Sequence, residues 1–172
     1  MAPKRCGHTG VKAVVDRDSA IDRIQAAVDA RNQGAELVIV ARTDARAALA
    51  TSHGDQAALE EALWRLRAIA ELGADVLFLE APRSEQEMQR FCNEVPGKHK
   101  ANMLEEGITP LLSTERLGSM GFAIAAYPLT LLSRAAFAMR QALVDLQAGH
   151  TPEQMLSFEE IKTLVGFNSY MK

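Results

Sequence analysis

The chain has 172 residues, 48% of them hydrophobic, and a formal net charge of −3. This length suffices for one domain with a substantial core, and no apolar run approaches the length of a membrane span. The negative charge and the aromatic content of 5% argue against nucleic-acid binding, and the two cysteines are too few for a disulfide framework, which favours a reducing compartment such as the cytoplasm.

The first predicted element, residues 1–16, contains the stretch KRCGH and has no hydrophobic period. The neighbours of Cys6 that can carry positive charge are Lys4, Arg5 and His8. Such neighbours stabilise a thiolate, and Gly7 allows the backbone to approach a ligand closely. The stretch therefore predicts a loop with a reactive cysteine.

Four strands are predicted, at 37–41, 76–79, 99–103 and 121–126, of which the first two are continuous apolar runs and the last two are shorter candidates. The first two runs do not alternate with polar residues, which is typical of strands buried on both faces of a parallel sheet. Segments with helical spacing or helix-capping signals lie at 18–33, 57–72, 84–95, 113–119, 129–147, 152–156 and 158–165. Strands that alternate with helices predict βαβ units, in either a doubly wound sheet or a (β/α)₈ barrel.

A polar group or a turn residue follows each predicted strand. Arg42 follows the first strand, Glu80 the second, Asn102 lies at the end of the third, and Pro128 comes shortly after the fourth. The carboxyl ends of parallel strands meet on one face, where barrel enzymes place their active sites. A salt bridge at a strand–helix junction is the simpler interpretation of Arg42 taken alone. No glycine-rich phosphate motif follows any strand, which favours the barrel.

The stretches PKRCGH, ARTDAR, LFLEAP, ANMLEEGITP and YPLTLL, in this order, resemble the isocitrate lyase/phosphoenolpyruvate mutase superfamily over essentially the whole chain. The resemblance implies the C-terminal half of a (β/α)₈ barrel, with residues 1–172 as a single partial-barrel domain. The parts of this domain would be a lid loop at 1–16, βα units at 17–128, a long helix at 129–148 and a tail at 149–172.

The resemblance also implies roles for individual residues. Cys6 would act as the acid or base on an enolate, and Lys4 and His8 would stabilise charge around it. The residues expected to bind the substrate are Gly7, Arg42, Glu80, Asn102 and Pro128. Family members hold Mg²⁺ with acidic residues of the N-terminal half, which this chain lacks, and Asp44 and Glu80 are too few to hold a hard cation alone.

Two departures from the methylisocitrate lyase pattern bear on the substrate. Leu104 stands where those enzymes tend to have a hydroxyl group, and Ser133 stands where they tend to have an arginine. Both departures favour a smaller 2-oxo or 2-hydroxy dicarboxylate of the oxaloacetate or alkylmalate kind. The expected function is a carbon–carbon lyase that is inactive as this chain alone.

Two other functions remain open. One is a phosphonate enzyme of the same superfamily, which makes or breaks a P–C bond, although Cys6 favours carbon–carbon cleavage. The other is a non-catalytic half-barrel that serves as an assembly partner, which the missing metal ligands favour. The helix at 129–148 is apolar nearly all round. By the resemblance, that helix would be exchanged between the protomers of a homo-oligomer.

Overall fold

The structure is a computed structural model that describes residues 13–170. The chain divides into two compact units, with the boundary between Leu129 and Thr130. Among the described residues, the strands all belong to the first unit, and the second unit is helical. The boundary falls next to the predicted junction between the βα units and the long helix.

The first unit contains a parallel sheet of four strands, in the order β1-β2-β3-β4. These strands are β1 (Val40–Thr43), β2 (Val76–Leu79), β3 (Lys98–Asn102) and β4 (Phe122–Ala126). Parallel neighbours that follow one another in the chain require a crossover between each pair, and helices supply every crossover here. The predicted fold class is confirmed: an α/β fold that corresponds to the C-terminal half of a (β/α)₈ barrel.

The first strand begins later than predicted. Leu37 and Val38 are 42% and 70% exposed, because pairing with β2 starts only at Val40, opposite Val76. The predicted strand at 37–41 was therefore placed too early in the chain. As a consequence, Arg42 lies within the strand, and the alternation of side chains along the strand determines which face of the sheet its side chain is on.

The helices of the first unit are α1 (Arg17–Asn32), α2 (Ala45–Ala48), α3 (Ala50–His53), α4 (Asp55–Glu71), α5 (Glu85–Glu94) and α6 (Thr114–Met120). Four of these six overlap the predicted segments. The exceptions, α2 and α3, have four residues each, which is too short for a hydrophobic period to show. At the start of α5, the Ser84 hydroxyl accepts a hydrogen bond from the Glu87 amide, as the predicted cap requires.

One face of the sheet is buried under the helices. Ala41 and Leu77 pack with Leu63 and Leu66 of α4, and all four side chains are at most 1% exposed. A second cluster under the sheet contains Ala101 of β3. Because side chains alternate along a strand, the residues between these positions point to the opposite face.

That opposite face is called the open face below. Its side chains include Val40, Arg42, Phe78, Lys100 and Ile124. Val40 and Ile124 are 49% and 40% exposed, so apolar surface remains uncovered at both edges of the sheet. In a closed eight-stranded barrel this face is the interior.

The second unit contains α7 (Thr130–Gln147), α8 (Phe158–Leu164) and α9 (Phe167–Tyr170). The predicted helix at 152–156 is wrong. Gln154 in that segment has a φ of 54°, which interrupts a right-handed helix. The next helix, α8, begins instead with a capping box between Ser157 and Glu160. No helix within residues 13–170 has both the length and the apolar character needed to cross a membrane.

Candidate active site

A row of side chains crosses the open face near the carboxyl ends of the strands. The register pairs Arg42 with Phe78, Phe78 with Lys100, and Lys100 with Ile124. The guanidinium carbon of Arg42 lies 5.2 Å from the centroid of the Phe78 ring, and the Lys100 ammonium lies 4.4 Å from it. Both distances are within the range of a cation–π contact. The row therefore places two cations beside one aromatic ring.

Arg42 also connects two buried carboxylates. Its Nε donates to Asp44 Oδ1 at 2.7 Å, and its Nη2 donates to Asp44 Oδ2 at 2.9 Å. The same Nη2 lies 3.3 Å from Oε1 of Glu80. The Asp44 and Glu80 side chains are only 5% and 1% exposed, and carboxylates buried this deeply need a cation nearby. Arg42 thus joins the ends of β1 and β2 electrostatically.

The backbone beyond β2 is fixed in an unusual conformation. The Glu80 amide donates to the Thr43 carbonyl at 3.1 Å, which extends the pairing with β1 by one residue. The next residue, Ala81, is buried and has a φ of 54°, in the left-handed region. A residue with a Cβ persists there only when its surroundings impose it, and such residues concentrate at functional sites.

The other predicted binding residues lie at the same end of the sheet. Asn102 is the last residue of β3 and pairs with Ala126, and the following amide, of Met103, donates to the Ala126 carbonyl at 2.7 Å. Pro128 lies two residues beyond β4. The fold therefore places Arg42, Glu80, Asn102 and Pro128 at the carboxyl ends of four successive strands. Whether they bind a substrate stays a prediction.

The predicted lid residues lie outside the described residues. They are Lys4, Cys6, Gly7 and His8. The second cysteine, Cys92, lies on α5 and is half-buried. Burial raises the pKa of the Cys92 thiol to about 11, which makes it a poor nucleophile at neutral pH.

Arg46 is a buried residue whose role the sequence alone does not indicate. Its side chain is 1% exposed, and it donates from Nε and Nη2 to the two carboxylate oxygens of Glu87, at 2.9 and 2.7 Å. A third bond, from Nη1 to Asp55, measures 3.1 Å. The Glu87 carboxylate also accepts from the Arg83 amide at 2.8 Å. Arg46 therefore ties the segment after β1 to the starts of α4 and α5, which lie around the site.

The residues present do not form a magnesium site by themselves. Within residues 13–170, no three histidine, cysteine or acidic side chains are grouped so that they could hold a metal ion. The carboxylates at the strand ends, Asp44 and Glu80, are already paired with Arg42.

A cavity of about 440 Å³ lies between the segment before α1, the end of α3 and the first half of α4. Its lining includes Val14, Leu49, His53, Glu61 and Arg65. Glu61 and Arg65 form an ion pair at 2.7 Å, so their charges are already compensated. None of the predicted site residues that the structure describes lines this cavity.

Comparison with known proteins places these features in a family. The family model described as phosphoenolpyruvate phosphomutase matches residues 5–147. The 2,3-dimethylmalate lyase of Eubacterium barkeri is 38% identical over 168 residues, which cover 95% of this chain and 55% of that enzyme. The chloroplastic carboxyvinyl-carboxyphosphonate phosphorylmutase of Arabidopsis thaliana is 36% identical over 178 residues, which cover 99% of this chain and 50% of the relative.

A solved structure of a similar protein shares the fold of this chain. Oxaloacetate acetylhydrolase, in complex with the inhibitor 3,3-difluorooxalacetate, superposes with a TM-score of 0.82 at 34% identity. The superposition covers 98% of this chain and 55% of that one. The chain thus spans about half the length of the relatives it matches. From the family match and these identities, the chain belongs to the isocitrate lyase/phosphoenolpyruvate mutase superfamily.

Proposed function

We propose that the chain supplies the C-terminal half of the active site of a carbon–carbon lyase. The substrate is a 2-oxo or 2-hydroxy dicarboxylate of the oxaloacetate or alkylmalate kind. The observation that carries the proposal is the cluster of Arg42, Asp44 and Glu80 at the carboxyl ends of β1 and β2. Two relatives that match nearly the whole chain, 2,3-dimethylmalate lyase and oxaloacetate acetylhydrolase, support this substrate class.

The proposed roles follow from the positions of the residues. Arg42 binds a substrate carboxylate, for which a guanidinium offers two parallel hydrogen bonds. Glu80 and Asn102 orient the substrate from the neighbouring strands. When the C–C bond breaks, its electron pair remains on the fragment that becomes an enolate. The other fragment leaves as carbon dioxide from a 2-oxo acid, or as a carbonyl compound from a 2-hydroxy acid, whose hydroxyl proton passes to solvent. The thiol of Cys6 then gives its proton to the enolate carbon and is left as a thiolate.

The remaining lid residues assist this proton transfer. Lys4 and His8 stabilise the thiolate, and Gly7 allows the loop backbone to approach the substrate. Pro128 lines the site from the turn after β4. Closure of the loop excludes water, which protects the enolate from premature protonation. The Mg²⁺ implied by the family resemblance has to be held by residues beyond those described.

A product assay tests the reaction type. The chain is combined with the N-terminal half of a homologue and offered oxaloacetate, 2-alkylmalates and phosphonopyruvate. We expect products of carbon–carbon cleavage from a carboxylic acid and no turnover of the phosphonate. Turnover of phosphonopyruvate alone would instead support a phosphonate mutase, an alternative favoured by the Arabidopsis relative.

The second alternative is a half-barrel that assembles without catalysing a reaction. It is favoured by the lack of a metal-binding group within residues 13–170. A stable complex with the complementary half that turns over none of these substrates would support it.

The proposed acid/base role predicts that Cys6 reacts faster than Cys92. Burial raises the pKa of the Cys92 thiol to about 11. The charged neighbours of Cys6 should hold its pKa below that of a free cysteine, about 8.5. At pH 7, alkylation of the assembled protein should therefore label Cys6 at least about a hundredfold faster. Peptide mass spectrometry over a pH series measures both rates, with Cys92→Ser as the control. An apparent pKa for Cys6 at or above the free value would contradict its role.

The second unit is proposed to mediate homo-oligomerisation through α7. Along this helix, Leu131 and Leu143 are 83% and 67% exposed, and Phe137 and Met139 are 48% and 60% exposed. An apolar surface of this extent on a soluble protein marks an interaction site. Light scattering should therefore give a mass above 18.7 kDa at micromolar concentration. A monomer with a cooperative melt would contradict exchange of this helix between protomers.

A further inference from the structure

We propose that Lys100 is a second anion-binding group, which makes this site select dicarboxylates over monocarboxylates. The inference rests on the proposed function, because it concerns the substrate class of the same site. Arg42 and Lys100 would bind the two ends of one substrate. Lys100 is not among the residues that the sequence motifs single out.

The geometry of the row supports this pairing. Lys100 and Arg42 lie on the open face on either side of Phe78, with one strand between them. Neighbouring strands are about 4.8 Å apart, so the backbones that carry the two cations are about 10 Å apart. Both side chains bend over the Phe78 ring, at 4.4 and 5.2 Å from its centroid. These distances to the shared ring place the two charges within about 10 Å of each other, which a short dicarboxylate with a hydrogen bond at each end can span.

The charges around the two cations differ. Arg42 is paired with Asp44 and Glu80. Within residues 13–170, Lys100 has no ion pair with a carboxylate, and its charged end contacts the face of Phe78. Lys100 is half-buried as a residue, and an aromatic ring compensates a positive charge only in part. Binding of a carboxylate would supply the missing counter-charge.

A purely structural role for Lys100 makes a different prediction. The aliphatic part of a lysine side chain can pack against an apolar surface while the charge contributes little to stability or binding. In that case, replacing Lys100 would change stability and leave ligand selectivity unchanged. Methionine separates the two roles, because it keeps an unbranched stem against Phe78 and removes the charge.

Lys98 provides a matched control. It lies on the same strand and the same face, two residues before Lys100, and pairs in register with Val76. Its charge acts on Asp75, near the amino end of β2. Replacing either lysine changes the net charge equally, but only Lys100 lies in the row with Arg42. A general effect of charge on anion binding would therefore appear in both variants.

The test is a titration of the 172-residue chain with malonate and with acetate at constant ionic strength, followed by NMR chemical shifts. We expect malonate to bind at least about tenfold more tightly than acetate, because its second carboxylate forms one additional ion pair in a partly desolvated site. The Lys100→Met substitution should weaken malonate binding by about tenfold and leave acetate binding nearly unchanged. Lys100→Arg should retain the selectivity, and Lys98→Met should behave as the wild type.

Several results would overturn the inference. These are equal binding of the two acids by the wild type, wild-type selectivity in Lys100→Met, and equal losses in the two methionine variants. Failure of the proposed function is a separate outcome, because it is read from turnover by the assembled barrel. Selective malonate binding that depends on Lys100, together with no carbon–carbon cleavage, would leave the anion site in place and refute the lyase.

Discussion

Replacing Arg46 with methionine should lower the free energy of unfolding by about 3–5 kcal/mol, the usual cost of breaking a buried ion pair from one side. The Arg46 side chain is 1% exposed, and its partner Glu87 is 15% exposed. Removal of the guanidinium leaves the Glu87 carboxylate buried without its principal cation. Three hydrogen bonds that join α2 to α4 and α5 are lost at the same time. Urea denaturation followed by circular dichroism measures the change.

The control is Arg67→Met, which removes a weak pair on the surface. Arg67 is 38% exposed and lies 3.5 Å from Glu94, which is 35% exposed. Exposed pairs contribute about 0–1 kcal/mol, so this variant should unfold almost as the wild type does. If the free energy of unfolding falls by the same small amount in both variants, Arg46 does not hold the segments around the site together. A double variant, Arg46→Met with Glu87→Met, should regain part of the loss, because no buried charge is left alone.

Arg42→Lys should reduce kcat/KM of the assembled enzyme by about 10- to 100-fold, or about 1.4–2.7 kcal/mol of transition-state stabilisation. Charge is conserved in this variant. An ammonium, however, cannot make the planar two-point contact with a carboxylate, and it cannot replace the fork that now holds Asp44. Steady-state kinetics with oxaloacetate or an alkylmalate, together with the urea midpoint, separates the loss of catalysis from the loss of stability.

Arg116→Lys is the matched control for this experiment. Arg116 lies on α6, is 49% exposed and pairs with Glu85, away from the open face. Its replacement should leave kcat/KM unchanged. If Arg42→Lys lowers stability but not kcat/KM, Arg42 is only a structural partner of the buried acids. That was the simpler interpretation of the residue from the sequence alone.

The sequence predicted the parallel sheet because the physical signal for it is local. Three of the four strands lie in short apolar runs that follow a turn or a helix end, and these features do not depend on distant residues. The exception is β3, which begins with three polar residues. The polar residues at the strand ends could also be placed, because parallel strands share one carboxyl edge. The start of β1 was misplaced, since Leu37 and Val38 are as apolar as the strand itself but have no partner in β2.

The contacts of the site depend on pairs that are distant in sequence. Arg46 bonds to Glu87, 41 residues further along the chain, and no spacing rule connects them. The pairing of Arg42 with Glu80 and the shared contact with Phe78 arise only once β1, β2 and β3 are in register. The position of Lys100 beside that ring has the same origin. Only the assembled sheet reveals these relations.

We propose that the chain provides one half of a lyase active site. The most direct measurement is the rate of oxaloacetate cleavage, with and without Mg²⁺, by the 172-residue chain alone and then with the N-terminal half of a homologue. The chain alone should show no turnover, because the described residues hold no metal-binding group to stabilise an enolate. The combined halves should show turnover that depends on Mg²⁺. Robust metal-dependent turnover by the chain alone, or none by the combined halves, would contradict the account.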